Sequence, residues 1–180
     1  MPRSVSLYEA SVPVFSRYLG RLIGLIDAAE SHVRSRKLEA SEVLGARLAQ
    51  DMLPFETQVL IAANFALRAC FPLAGQEIPR YGEFASTFDG LRSRIARVVE
   101  LLDSLEPSQF EGGESRVIES KAGNALVSLR APEFLFQYAL PNFFFHVTVA
   151  YAILRSRGVA VGKEHFDGLH SYEQASHTNP

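Results

Sequence analysis

Residues 84–105 have the sequence FASTFDGLRSRIARVVELLDSL, which carries the clearest amphipathic pattern in the chain. Apolar residues recur every three or four positions and form one stripe: Phe84, Phe88, Leu91, Ile95, Val98, Leu102 and Leu105. This spacing matches the 3.6-residue period of an α-helix. The opposite face carries a charged run that we expect to be solvated: Arg92, Arg94, Arg97, Glu100 and Asp103. We therefore predict a helix from about Phe84 to Leu105 with one buried side.

A second long helix is predicted before this stretch, from about Ser6 to Arg36. Ser6 and Glu9 have the spacing of a capping box, in which each residue satisfies a free backbone N–H group of the other. We expect Pro13 to split off a short leading turn, because proline lacks the N–H group that a helix interior requires. The apolar stripe of this helix is regular: Phe15, Leu19, Leu22, Ile26, Ala29 and Val33.

Two more helices complete a set of four. One begins at Pro54, whose fixed φ suits a first turn, and its buried side is rich in alanine. The last runs from Pro132 to about Arg157, and we expect a kink at Pro141 because this residue cannot donate to the carbonyl of Gln137.

Before the last helix, residues 116–121 and 125–130 read as two short strands around a Gly-Asn turn. The predicted fold class is therefore all-α, a four-helix bundle with a small β-hairpin insertion before the last helix. We assign residues 1–170 to one domain and residues 171–180 to a polar C-terminal tail.

Composition excludes several classes of protein. The 180 residues are 47% hydrophobic and 21% charged, which are globular values, and the formal net charge of -2 offers no strong field for nucleic acid. The longest apolar stretch, residues 134–154, is interrupted by polar residues, so we expect no membrane span. We expect the cytoplasm as the compartment, with the single cysteine, Cys70, buried and reduced.

The most informative polar residues lie inside the last helix. Asn142 and His146 are four residues apart among phenylalanines and valines, so both side chains face the same way. They either hydrogen-bond other core groups or line a ligand or metal site, which helical bundles build in their cores. Asp51, just before the second helix, and Gln58, on that helix, are the candidate partners, although the position of Asp51 favours a role as the cap of that helix.

Three segments carry a family resemblance. Residues 6–15 (SLYEASVPVF), 46–52 (ARLAQDM) and 141–148 (PNFFFHVT) resemble the signatures of an uncharacterised bacterial family, catalogued as a domain of unknown function; residues 151–155 and 162–163 fit as well. That family is similar to the broader DinB/YfiT-like group. The resemblance implies a four-helix bundle with one long crossover, often dimeric.

The resemblance also implies a metal site, which this sequence matches only in part. Many members of the DinB/YfiT-like group bind nickel or zinc through three histidines, and some are thiol-dependent transferases or isomerases. His146 matches the second histidine of the group's fourth helix, Asn142 replaces the first, and residues 51–58 contain no histidine. Amides are poor ligands for nickel or zinc. We therefore expect no metal; if one is bound, His146 and Asp51 are its ligands.

Three functions remain open at this stage. The favoured one is a binding module that holds a small molecule at Asn142, His146, Asp51 and Gln58 without a cofactor. The alternatives are a metal-dependent transferase or isomerase with an altered nickel or zinc site, and a purely structural or interaction protein. Phe143, Phe144 and Phe145 point in directions about 100° apart, so a loop, the hairpin or a second subunit must cover those that the bundle interior does not. Together with the family resemblance, this leads us to expect a homodimer.

Overall fold

In the computed structural model, which describes residues 5–80 and 82–171, four long helices surround one apolar core. The helices are α1 (Leu7–Arg36), α2 (Ala40–Leu44), α3 (Phe55–Leu73), α4 (Phe88–Asp103), α5 (Ala131–Glu133), α6 (Leu140–Ser156) and α7 (Lys163–Asp167). Of these, α3 packs against α4 and α6, and α1 packs against α3, α4 and α6. The predicted four-helix bundle is confirmed. Of the predicted tail, only Ser171 lies within the described residues.

The first helix begins as predicted and then departs from the prediction. Glu9 N–H donates to Ser6 Oγ at 3.1 Å and Ser6 N–H donates to Glu9 Oε2 at 3.0 Å, so the capping box is formed. The expected break at Pro13 is wrong, since α1 runs unbroken through it. Pro13 lies on the exposed side of the helix, where water can hydrogen-bond the carbonyl that lacks its N–H partner.

The amphipathic stretch forms α4, but the helix begins four residues later than predicted. Thr87 is its N-cap, and the Thr87 hydroxyl accepts from Gly90 N–H at 3.0 Å. Phe84 therefore lies before the helix. Gly90 is required here, because a Cβ at this position would lie 1.9 Å from the carbonyl oxygen of Ala85. The predicted stripe is buried from Phe88 to Leu105.

One member of the charged run on α4 is not solvated. Arg92 pairs across the surface with Asp27 and Glu30 of α1, as the prediction of a solvated face allows. Arg94 is only 4% exposed, so the expectation is wrong for this residue. Its position faces α3, where Asn64 accepts a hydrogen bond from the guanidinium group.

The long connection from α4 to α6 carries the predicted hairpin. Strands β1 (Val117–Ala122) and β2 (Ala125–Arg130) pair antiparallel, and Gly123 in the turn has φ 60°, which favours glycine. Ile118 is buried beneath the hairpin. Arg116 also ties its base to α3 by donating to the carbonyl oxygen of Leu73.

The last helix is irregular directly before Pro141, where a kink is predicted. Residues Phe134–Ala139 form a π-helical segment, in which Leu140 N–H donates to the carbonyl of Leu135, five residues back. Because Pro141 has no N–H group, the α-helical bonding pattern cannot pass through this point, and a wider turn lies before it. Among the described helices, none is both long and apolar enough to cross a membrane.

Shortening a side chain in a buried apolar stripe should lower the free energy of unfolding more than shortening an exposed one. Leu22→Ala or Ile95→Ala should lower the free energy of unfolding by about 2–5 kcal/mol, because both side chains are fully enclosed. Leu169 is 73% exposed and provides the matched control. Leu169→Ala should change the free energy of unfolding by less than about 0.5 kcal/mol. Urea unfolding of the three variants measures this. Equal losses for all three would contradict the assigned core.

Candidate functional site

The interface between α3 and α6 holds a hydrogen bond between two polar side chains in apolar surroundings. His146, on α6, is half-buried, and its Nδ1 lies 2.7 Å from Oε1 of Gln58 on α3. Gln58 is 2% exposed, and its Nε2 donates to the backbone carbonyl of Leu53 at 3.1 Å. A carbonyl can only accept, so the contact with Leu53 fixes which end of the Gln58 amide faces His146.

This arrangement fixes the protonation state of the imidazole. Oε1 of Gln58 is an acceptor, so Nδ1 of His146 carries the proton and Nε2 keeps its lone pair. Burial lowers the pKa of His146 below its usual value, which keeps the ring neutral near pH 7. Nε2 has no hydrogen-bond partner among the described residues, and these residues do not bury it completely. The site therefore presents one oriented acceptor.

Asn142 lies on the same side of α6, but its side chain is hydrogen-bonded elsewhere than to His146. Its side-chain Nδ2 donates to the carbonyl of Tyr138 at 2.7 Å, at the end of the π-helical segment. The structure thus brings together His146 and Gln58, while Asn142 secures the backbone one turn away.

Asp51 is separate from this pair. It lies exposed in the turn before α3, and the N-cap of α3 is Pro54, with no side chain hydrogen-bonded to the free N–H groups there. The interpretation of Asp51 as the cap is therefore wrong, because the chain extends through Pro54 and carries Asp51 away from the helix end.

The donor set around His146 does not fit nickel or zinc. Its hydrogen-bonded neighbour is an amide, and the other predicted amide, Asn142, is directed to Tyr138. Within residues 5–80 and 82–171, no three His, Cys, Asp or Glu side chains lie close enough together to hold a metal ion. A zinc site ordinarily needs three such ligands.

Two aromatic rings flank the imidazole. The Phe65 ring lies nearly parallel to it with centroids 5.9 Å apart, and Phe145 meets it edge-on at 5.2 Å. Tyr138 also packs against the Phe65 ring, with ring centroids 5.9 Å apart. The sequence analysis did not single out Phe65 or Tyr138. Helical spacing could have found them, since Phe65 is seven residues after Gln58 and Tyr138 is eight before His146.

The hairpin closes one end of this aromatic cluster. The Arg68 guanidinium lies 4.7 Å from the centre of the Phe65 ring, and its Nη2 donates to Ser120 Oγ at 2.7 Å. The Tyr138 hydroxyl donates to the carbonyl of Lys121 at 3.0 Å. The insertion is therefore attached to both helices that form the site.

The other residues considered from sequence lie apart from this cluster. Cys70 is fully buried, as predicted, and burial raises the pKa of its thiol, which makes it unreactive. Of the C-terminal histidines, His165 accepts from Gly162 N–H and His170 contacts Asp167 at 2.5 Å. His177 lies outside the described residues.

Comparisons with known proteins agree with this architecture. A family model described as "Domain of unknown function (DUF1993)" matches residues 7–167. A crystal structure of a DinB family member protein from Shewanella denitrificans is similar over 93% of this chain and 95% of that one, with 32% identity and a TM-score of 0.82. No curated protein matches the chain. The chain therefore belongs to the DUF1993 family, within the DinB-like superfamily of helical bundles.

Proposed function

We propose that the protein is a binding module that holds a small molecule at the α3–α6 interface without nickel or zinc. The observation that carries the proposal is the free Nε2 lone pair of His146, oriented by the Gln58 amide and placed among aromatic rings. Imidazole groups that only stabilise a core ordinarily have partners at both nitrogens. Here one nitrogen is fixed by the protein and the other is left for a ligand.

The surroundings of Nε2 define the chemistry of that ligand. A neutral acceptor selects an N–H or O–H donor, and the rings of Phe65 and Phe145 favour a flat apolar body. Gln58 and Asn142 hold the imidazole and the helix backbone rather than the ligand. Asp51 remains a predicted contact at the exposed turn before α3. Uncharged planar compounds with one donor fit this description best.

The ligand count argues against the alternative of a metal-dependent transferase or isomerase. His146 and the exposed Asp51 would be the only two ligands of the usual type, and two ligands leave an ion largely hydrated and easily lost. Nδ1 of His146 already donates a hydrogen bond to Oε1 of Gln58, so this nitrogen has no lone pair for a metal ion. The proposed site therefore works through hydrogen bonding and stacking alone.

Thermal shift with a panel of phenols, indoles and benzamides tests the binding module. A compound at 100 times its Kd should raise the free energy of unfolding by about 2.7 kcal/mol, and this gain should vanish in His146→Ala. The matched control is His32→Ala, which removes another half-buried histidine far along α1 and should keep the gain. If no compound stabilises the protein, the structural or interaction alternative is favoured.

Metal analysis of protein purified without a histidine tag tests the cofactor. Nickel and zinc should be close to zero in the wild type and unchanged in His146→Ala, because the site offers too few ligands. Stoichiometric nickel or zinc that is lost in His146→Ala would contradict the proposal and favour the metal-dependent enzyme.

We also propose that the protein forms a homodimer, as its family resemblance implies. Phe143 is buried and Phe144 packs on Tyr18, but Phe145 is 55% exposed, so part of α6 remains for a second subunit to cover. Light scattering at micromolar concentration should give twice the mass of the chain. Phe145→Ala should shift the mass toward the monomer, whereas Leu126→Ala on the exposed hairpin should not. A monomeric wild type would contradict the dimer.

A further inference from the structure

A pocket lies between α6 and α7, away from His146. Its lining consists of two residues from α6 and two from α7: Thr148, Tyr151, Lys163 and Phe166. Its volume of about 360 Å³ is at the lower end of the range for small-molecule pockets, roughly 300–1,000 Å³. Thr148 and His146 are about 160° apart around α6, so the pocket and the candidate site face different directions.

Two aromatic rings form one wall of this pocket. Tyr151 and Phe166 meet edge-on, with ring centroids 6.0 Å apart, and both side chains are half-buried. Phe166 also packs against Tyr18 of α1, with ring centroids 5.8 Å apart. A hydrogen bond ties α7 to α1, because Arg17 donates to the carbonyl of Asp167 at 2.8 Å. The aromatic wall is therefore held in place before a ligand binds, which lowers the ordering cost of binding.

The polar side chains of the lining have no partners within the part of the chain that the structure describes. Lys163 is exposed and forms no ion pair or hydrogen bond with the described residues. The acidic residue next to it, Glu164, contacts Nδ1 of His165 at 3.2 Å. The hydroxyl groups of Thr148 and Tyr151 likewise form no hydrogen bond with the described residues. One cation and two hydroxyl groups are thus available beside the aromatic wall.

We propose that this pocket binds a small aromatic acid that carries a single negative charge. The flat body of the ligand packs against Tyr151 and Phe166, and its carboxylate pairs with the ammonium group of Lys163. One cation in the lining balances one negative charge, whereas a dianion such as a phosphate monoester would keep an uncompensated charge. This site is independent of the one at His146, whose neutral acceptor selects uncharged donors.

Fluorescence titration with 2-naphthoate, and with 2-naphthamide as its neutral match, tests the proposal. The chain contains no tryptophan, so the naphthalene emission is measured against little protein background. The naphthoate should bind saturably, and the naphthamide about three- to tenfold more weakly, because only the carboxylate pairs with Lys163. Lys163→Gln should weaken naphthoate binding by the same factor and leave naphthamide binding unchanged.

A variant that fills the pocket tests its location. Thr148→Phe should abolish binding of both compounds, because the larger side chain occupies the space beside Tyr151 and Phe166. Its Tm should stay close to that of the wild type, since position 148 is exposed on α6.

Two control variants separate this site from others. Lys121→Gln removes an exposed cation from the hairpin and should leave naphthoate affinity unchanged, as should His146→Ala. Absence of saturable binding, or equal affinity for the naphthamide, would overturn the proposal. So would undiminished naphthoate affinity in Lys163→Gln or in folded Thr148→Phe. An equal loss in Lys121→Gln would also overturn it, because it would show binding by net charge alone.

Discussion

The hydrogen bond between Gln58 and His146 is the constraint from which the candidate site follows. It joins α3 to α6 at a place where both helices are otherwise apolar, and an unpaired polar group there would cost about 1–3 kcal/mol. The hydrogen bond from Gln58 to the carbonyl of Leu53 fixes the orientation of the Gln58 amide, so its oxygen faces His146. That oxygen in turn places the imidazole proton on Nδ1 and leaves the lone pair of Nε2 available.

Helix α3 organises the molecule because its neighbours can approach it closely. Its buried surface is rich in alanine, and the fully enclosed members are Ala62, Ala63, Ala66 and Ala69. Close packing on small side chains leaves little room for water, so a polar group buried on this helix must find a specific partner. Gln58 does so toward α6, Arg68 toward the hairpin and Asn64 toward α4. The candidate site at Gln58 lies where this helix departs from alanine.

Local pattern was sufficient to predict the bundle, the core stripes and the hairpin, because hydrophobic periodicity and turn chemistry act over short distances. It also indicated His146 as the unusual residue. The sequence analysis also named Gln58, beside Asp51, as a candidate partner. Local pattern could not choose between the two, since Gln58 is 88 positions from His146 and their contact depends on how α3 packs on α6. It likewise failed for Arg94, which has the same spacing as its solvated neighbours but meets Asn64 and Phe84 through the packing of α4 on α3. The π-helical segment depends on how Pro141 is accommodated within the fold.

The central claim is that an amide, and not a metal ion, orients His146. Nitrogen-15 NMR of the imidazole ring at pH 7 tests it most directly, because the two neutral tautomers and the imidazolium ion give different spectra. The account predicts a neutral ring with the proton on Nδ1, and a spectrum that is unchanged when nickel or zinc is added in equimolar amount. A proton on Nε2, or saturable loss or shift of the His146 signals on adding either metal, would contradict it.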